Sequence, residues 1–432
     1  MLRRIIVFTF LSILLFSSSS FFVSAFFLNE EEVSVESYYL YNFENDLVMA
    51  QKDINKTLNA SSTVKIMSAC VALEAGIPMN EVITISKAML EGVSGRFMGL
   101  RVGDKMTFED LLYSMICASF NDATHALACA VAGSTNEFVD MMNNKAIELG
   151  MSHTLYTDPT GISSTSKTSV SDIVKLVEYM INNDQYIKIT SSKTYDLSHL
   201  ATCDYNRISN RSALISLYKG FSNFNVGSSN ESADCTVSYC NNGKNSFVCI
   251  VMNARMHDAT GTENSAEACA KKLLNHGLYD YSVKTVIGNK KVLASIPVKY
   301  SISDDHVNLY ASYNLDVFLS NEINIENGLS YNYYLFEDEL KAPLSIGDEV
   351  GILIVSKNGK YIGSVPLAVD RNVDRNFFLY LMDSLKSYFS GRTFVISLVF
   401  FVFFCITYYI YKTQMLNKIF RRNSKSKVRY KR

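Results

Sequence analysis

Apolar and polar residues alternate over residues 37–47 and 235–253, the period of a half-buried strand. The second stretch holds two runs, 236–239 and 246–252, separated by Asn242-Gly243, a dipeptide suited to the tight turn of a hairpin. Between these strand regions the apolar period lengthens to that of a helix over 63–74, 107–118, 123–132, 135–149 and 169–183. A helical block therefore interrupts a sheet, which predicts an α+β fold built on an antiparallel sheet. One more helix, over 265–277, is predicted to close at Gly277, the residue type favoured at helix ends. From residue 283 the texture changes to short alternating runs, 291–300, 306–310, 349–356 and 361–369, and predicts a separate, smaller β-rich domain.

The two ends break this pattern. Arg3 and Arg4, an apolar run over 5–16, a serine stretch and Val23-Ser24-Ala25 have the order of a secretory signal; an uncleaved anchor is the alternative, and export follows from either. Residues 393–411 are 19 positions without a charge, nearly enough helix to cross a ~30 Å hydrocarbon core. Residues 374–389 place apolar side chains at near-helical spacing and fit either a segment lying on the membrane surface or a short linker helix. The predicted organisation is a signal peptide at 1–25, an α+β domain at 26–282, a β-rich domain at 283–372, an amphipathic juxtamembrane segment at 373–391, a transmembrane helix at 392–411 and a basic tail at 412–432. That tail contains no acid, so the positive-inside rule places it in the cytoplasm and the body outside.

Charge sharpens the picture. The formal net charge is -1, but 12 of the 41 basic residues lie in 1–25 or 392–432, which hold no acid. Residues 26–391 therefore carry 29 basic against 42 acidic side chains, a balance of -13 that argues against nucleic acid as a partner and leaves the tail to a lipid membrane. The nine cysteines show no metal or redox spacing; Cys70, Cys117, Cys129 and Cys249 read as small core residues, and although a pair such as Cys235 and Cys240 is open to oxidation outside the cell, no disulfide framework is expected. The six histidines contain no i, i+4 pair of the kind that binds zinc, so no zinc site is expected.

Candidate chemistry begins at Ser62-Thr63-Val64-Lys65. At i, i+3 on a helix the lysine amine stands one turn from the serine hydroxyl, and a desolvated lysine there can take the serine's proton. The spacing alone is common: Ser164 to Lys167, Ser216 to Lys219 and Ser424 to Lys427 share it. Ser119-Phe120-Asn121 falls between two helical patterns, where a loop presents two polar side chains to a cleft; a helix cap is the structural alternative.

The order and wording of these motifs narrow the choice. Ala60-Ser61-Ser62-Thr63-Val64-Lys65-Ile66-Met67, Leu100-Arg101-Val102-Gly103-Asp104, Ser119-Phe120-Asn121-Asp122-Ala123 and Asp158-Pro159-Thr160-Gly161 run in sequence and resemble the D-alanyl-D-alanine carboxypeptidases, low-molecular-mass penicillin-binding proteins of the serine DD-peptidase family. Leu340-Lys341-Ala342-Pro343 through Gly351, and Val365-Pro366-Leu367, resemble the β-rich domain that follows the enzyme domain in that family. The resemblance implies a penicillin-binding, β-lactamase-like transpeptidase fold and Ser-x-x-Lys chemistry on peptidoglycan stem peptides ending in D-Ala-D-Ala, with β-lactam antibiotics as acylating inhibitors. It implies Ser62 as nucleophile, Lys65 as base, Ser119 as proton relay and Asn121 as a substrate-binding residue, with no metal or organic cofactor.

The family's third motif, Lys-Thr-Gly followed by an aromatic residue and a hydroxyl, is expected on the strand at 214–222, where the chain reads Tyr218-Lys219-Gly220-Phe221-Ser222. Lys219 and Gly220 are the expected substrate-binding residues there. Because the lysine is displaced by one position, a catalytically impaired wall-binding homologue is the alternative reading. A serine β-lactamase shares the first motif, but residues 158–169 offer no glutamate of the kind that activates a deacylating water.

Overall fold

The computed structural model describes residues 35–198, 201–230, 233–254, 265–289, 291–302 and 306–429; the predicted signal peptide lies outside the described residues. The chain divides into two compact units, residues 1–283 with 318–324, and residues 284–317 with 325–432.

The first unit is built on a five-stranded antiparallel sheet. Its strands are β1 (Val35–Asn42), β2 (Leu47–Lys52), β3 (Phe221–Asn230), β4 (Ala233–Asn241) and β5 (Ser246–Ala254), in the order β2-β1-β5-β4-β3. The Asn242-Gly243 turn joins β4 to β5, with Tyr239 opposite Val248 and Val237 opposite Ile250. β5 is the central strand, and it is apolar nearly throughout because both of its faces are covered. Val248, Ile250 and Met252 enter one core, whereas Phe247, Cys249 and Val251 enter the other. Each side chain is thus assigned to a core by strand parity.

The helices inserted between β2 and β3 cover the first face: α1 (Val64–Glu74), α2 (Phe108–Ala118), α3 (Asn121–Ala132), α4 (Thr135–Glu148) and α5 (Val170–Met180). Fully buried Ile66, Met67, Leu111, Met115, Phe138 and Val177 pack in that core with Ile250. Truncating one such side chain to alanine costs about 2–5 kcal/mol. The opposite face is covered by α6 (Ala266–Tyr279) through Leu273 and Leu274. Gly277 does not end this helix. It lies within α6, where a Cβ would meet Phe247 at 3.1 Å and Leu40 at 3.3 Å, so its role is close packing of helix on sheet. Cys235 and Cys240, five residues apart on β4, enter opposite cores and cannot bridge.

The second unit contains a six-stranded sheet of β6 (Val292–Lys299), β7 (His306–Ala311), β8 (Ser330–Leu335), β9 (Leu340–Lys341), β10 (Glu349–Lys357) and β11 (Lys360–Val369), ordered β8-β10-β11-β7-β6-β9. Val307, Leu309, Val355, Val365 and Leu367 are among its fully buried residues. Helix α7 (Phe377–Ser390) buries none of its residues, and Phe377, Phe378, Leu381, Leu385 and Phe389 are exposed. Helix α8 (Arg392–Arg429) follows; an 18-residue stretch within residues 394–418 has a mean hydropathy of 2.3, so one apolar C-terminal helix is long enough to cross a membrane.

Candidate active site

Ser62 sits in a single turn of 3-10 helix, Ser61–Thr63, that feeds directly into α1. Ser61 adopts a left-handed backbone, φ 48°, immediately before it. Val64, Ile66 and Met67 anchor the helix start in the core, which leaves Ser62 and Lys65 one turn apart and each only 5% exposed. The Lys65 Nζ donates to the Thr160 carbonyl at 2.7 Å. Burial lowers its pKa to about 7; Asp158 opposes this shift and the Arg211 guanidinium adds to it. A neutral amine is therefore available close to neutral pH, as a general base requires.

The loop that holds Lys65 is itself tied down. Asp158 accepts hydrogen bonds from the Thr160 N–H (2.9 Å), the Gly161 N–H and the Ser163 N–H (2.7 Å), and Ser68 Oγ donates to the Pro159 carbonyl at 2.6 Å. Gly161, at φ 79°, lies so close to the Ser61 carbonyl that a Cβ would stand 1.8 Å from its oxygen. The Asp-Pro-Thr-Gly segment thus fixes the peptide that precedes the nucleophile.

Ser119 closes α2 in a left-handed conformation, φ 58°, and Asn121 opens α3 two residues later. This sharp turn keeps both side chains buried. Asn121 Nδ2 donates to the Ser94 carbonyl at 2.7 Å, and its N–H to the Arg96 carbonyl at 2.7 Å. Both Asn121 Nδ2 and Ile162 Cδ1 lie against the α-carbon of Gly95, so the turn meets the 158–163 loop beside Ser62. Asp122 steadies the facing segment by accepting from the N–H groups of Met98 (3.0 Å), Gly99 (2.9 Å) and Leu100 (3.0 Å). The 158–163 loop thus packs on Ser61 through Gly161 and, through Ile162 and Gly95, meets the Asn121 side chain.

The structure does not bring Lys219 and Gly220 to Ser62. Both precede β3; Lys219 is exposed in a groove that also involves Ser191, Lys193 and Tyr218, and Gly220, at φ 70°, lies against the Asn241 carbonyl, where a Cβ would stand 1.7 Å away. Gly220 turns the chain into the strand. The residue of β3 that reaches the nucleophile is Asn225, six positions and up to ~20 Å along, beyond the reach of a lysine side chain. With its amide oriented to satisfy every partner, Asn225 accepts from Ser62 Oγ (3.0 Å) and the Thr63 N–H (3.2 Å) and donates to the Ser62 carbonyl (3.0 Å). A bulge makes this possible. Phe224 is the extra residue opposite β4, so Phe224 and Asn225 both face the helical block, while Phe221 faces the other core.

Asn225-Val226-Gly227-Ser228-Ser229 keeps the glycine and the hydroxyl of the third motif at their expected offsets, with Asn and Val where Lys and Thr were expected. The sequence signal for Asn225 was that Gly-x-Ser; the aromatic Phe221 favoured the earlier triplet. The argument for an impaired homologue from Tyr218-Lys219-Gly220 lapses, since that triplet does not reach Ser62.

A buried serine and a near-neutral lysine on one helix, a Ser-x-Asn turn and a strand closing the cleft define a serine acyl-transfer hydrolase of the penicillin-binding type. Comparison with known proteins gives the family. Residues 24–256 match the model of the D-alanyl-D-alanine carboxypeptidases, and residues 281–375 that of the penicillin-binding protein 5 C-terminal domain. The chain belongs to the D-alanyl-D-alanine carboxypeptidase family and is a serine-type peptidase. It is 25% identical over 357 residues to the D-alanyl-D-alanine carboxypeptidase DacF of Bacillus subtilis, covering 80% of this chain and 87% of that one. It is 26% identical over 364 residues to DacC of Escherichia coli, covering 80% and 86%. Penicillin-binding protein 6B of Escherichia coli shares the fold, with a TM-score of 0.55 at 20% identity over 78% of this chain and 95% of that one.

Proposed function

We propose that the chain removes the terminal D-alanine from peptidoglycan stem pentapeptides at the outer face of the cell membrane. Ser62 Oγ attacks the carbonyl between the last two D-alanines while Lys65 Nζ takes its proton. The tetrahedral oxyanion is held by backbone N–H groups, Ser62's own among them. Ser119 passes the proton to the departing D-alanine nitrogen, Asn121 holds the substrate's amide, and water then cleaves the Ser62 ester. β-Lactams acylate the same oxygen and leave the ester in place.

The observation that carries this reading is Lys65, buried one helical turn from Ser62 with its pKa lowered to about 7. The basic residues after the apolar span support a cytoplasmic tail and an extracellular body. Mass spectrometry of the full chain with penicillin, and with a peptide ending in D-Ala-D-Ala, tests the reading beside Ser62→Ala. A penicillin adduct on Ser62 together with released D-alanine is the expected result. No adduct and no release from the folded, unsubstituted chain refutes it and favours a wall-binding homologue.

A further inference from the structure

The strand residue that meets the nucleophile is an uncharged amide where the third motif expects a lysine, and the two side chains cannot make the same contacts. We propose that Asn225 is a positioning residue for acylation: it grips the turn that carries Ser62 from the strand side and, being uncharged, leaves Lys65 without a second cation facing it from β3. This rests on the assignment of Ser62 and Lys65 as nucleophile and base above.

The contacts are the first support. Asn225 is 3% exposed and makes three hydrogen bonds to two consecutive residues. Its Oδ1 accepts from Ser62 Oγ at 3.0 Å and from the Thr63 N–H at 3.2 Å, and its Nδ2 donates to the Ser62 carbonyl at 3.0 Å. Two of the three reach backbone, so they persist when the Ser62 hydroxyl turns its proton from Asn225 to Lys65. An ammonium has three donors and no acceptor, and a lysine in this place would leave the Thr63 N–H without the strand. The amide is held in turn by β3 itself. Thr236 Oγ1 donates to the Asn225 carbonyl at 3.2 Å, and Tyr186 Oη donates to the carbonyl of Phe224, the bulged residue before it, at 3.1 Å.

Charge is the second support. Lys65 stands one helical turn from Ser62, so a charge on the strand residue that touches Ser62 acts on the Lys65 amine at short range. β3, Phe221–Asn230, contains no titratable side chain. The charged or titratable groups around the Ser62–Lys65 turn come from other elements: Asp158 on its loop, Arg211 ahead of β3, His125 with Asp122 on α3, and Cys235 on β4. Burial lowers the His125 pKa and pushes the Cys235 thiol up to about 11, so both are neutral where Lys65 titrates. A charge introduced at residue 225 therefore shows in the titration of Lys65.

The test uses the full chain in detergent and follows acylation of Ser62 by penicillin by intact mass as a function of pH, with a thermal midpoint for each variant. Asn225→Ala is expected to lower the plateau rate ~30-fold, while its limb stays at about pH 7. Asn225→Asp keeps the acceptor and adds an anion, which favours the protonated amine; its limb moves up by ~1 unit or more, and above that limb it regains part of the alanine loss. Asn225→Lys keeps no acceptor and adds a cation; its limb moves down by ~1 unit or more, and its plateau stays as low as that of Asn225→Ala. Limbs that coincide in the three variants, or an Asn225→Ala plateau within ~3-fold of the unsubstituted rate, overturn the proposal. Should neither charged variant fold, the dependence on penicillin concentration decides: the Asn225→Ala loss is expected in the first-order acylation step with the dissociation constant unchanged, and a loss in the dissociation constant instead overturns it. Release of D-alanine from a peptide ending in D-Ala-D-Ala is measured with the unsubstituted chain in parallel. Shifted limbs without release keep the role of Asn225 and remove the carboxypeptidase; release with unmoved limbs does the reverse.

Discussion

Replacing Gly161 with alanine separates positioning of the nucleophile from stability of the fold. A Cβ at Gly161 would stand 1.8 Å from the Ser61 oxygen and 2.5 Å from its carbon, where ordinary contacts begin above 3.0 Å, so one partner must move by more than ~1 Å. The 158–163 loop is held by three N–H bonds to Asp158 and by Lys65 Nζ on the Thr160 carbonyl at 2.7 Å. The Ser61-Ser62 peptide therefore yields and carries Ser62 with it. A reacting group misplaced by ~1 Å loses ~100-fold in rate, which corresponds to about 2.7 kcal/mol in the barrier. The left-handed backbone at φ 79° adds ~1–2 kcal/mol against an L side chain. The assay is the second-order rate of Ser62 acylation by penicillin, read by intact mass, together with a thermal midpoint. Gly150→Ala is the control: φ is 68° and nothing lies within 4 Å of its Cβ, so it carries the backbone cost alone and leaves acylation unchanged. Acylation of Gly161→Ala within ~3-fold of the unsubstituted rate, or equal slowing by Gly150→Ala, refutes the argument.

Since burial lowers the Lys65 pKa to about 7, the neutral base form predominates above that pH; the acylation rate should rise through about pH 7 and level off above it, and Lys65→Met should abolish both the rate and the limb. Asn225→Ala removes the hydrogen bonds that hold Ser62, about 2 kcal/mol, so a stopped-flow acylation rate ~30-fold lower is expected, together with a lower thermal midpoint because buried partners are left unpaired. Asp122→Asn leaves one oxygen for three N–H donors, and a loss of ~2–4 kcal/mol is expected in denaturant unfolding. Ending the chain before α8 removes the apolar span, and its partition from membrane to supernatant on fractionation checks the anchor.

The structure also explains why the cleft can hold an amine near its neutral form without a buried acid beside it. Asp158 is the carboxylate that opposes the shift, yet its oxygens are taken by backbone N–H groups of its own loop, and desolvation dominates at Lys65. The carboxylate shapes the loop, and burial tunes the base.

The helical block, the hairpin at Asn242-Gly243, the β-rich second unit and the apolar C-terminal helix can be read from the order of amino acids, because each is a local property: a period, a turn dipeptide, a run without charge. Ser62 with Lys65 and Ser119 with Asn121 were legible for the same reason, since each pair is set by a helix turn or a three-residue loop. Packing between helix and sheet set the role of Gly277, which lies against Phe247 and Leu40 rather than ending its helix. The two faces of the sheet separate Cys235 from Cys240. Tertiary structure also decided the third motif. Two Gly-x-Ser stretches lie on one short segment, at Gly220 and Gly227, and strand parity does not choose between them while a bulge at Phe224 shifts the faces. Which residue meets Ser62 depends on how β3 pairs with β4, a contact fixed by the partner strand and the core beneath it, and that information is not local to either motif.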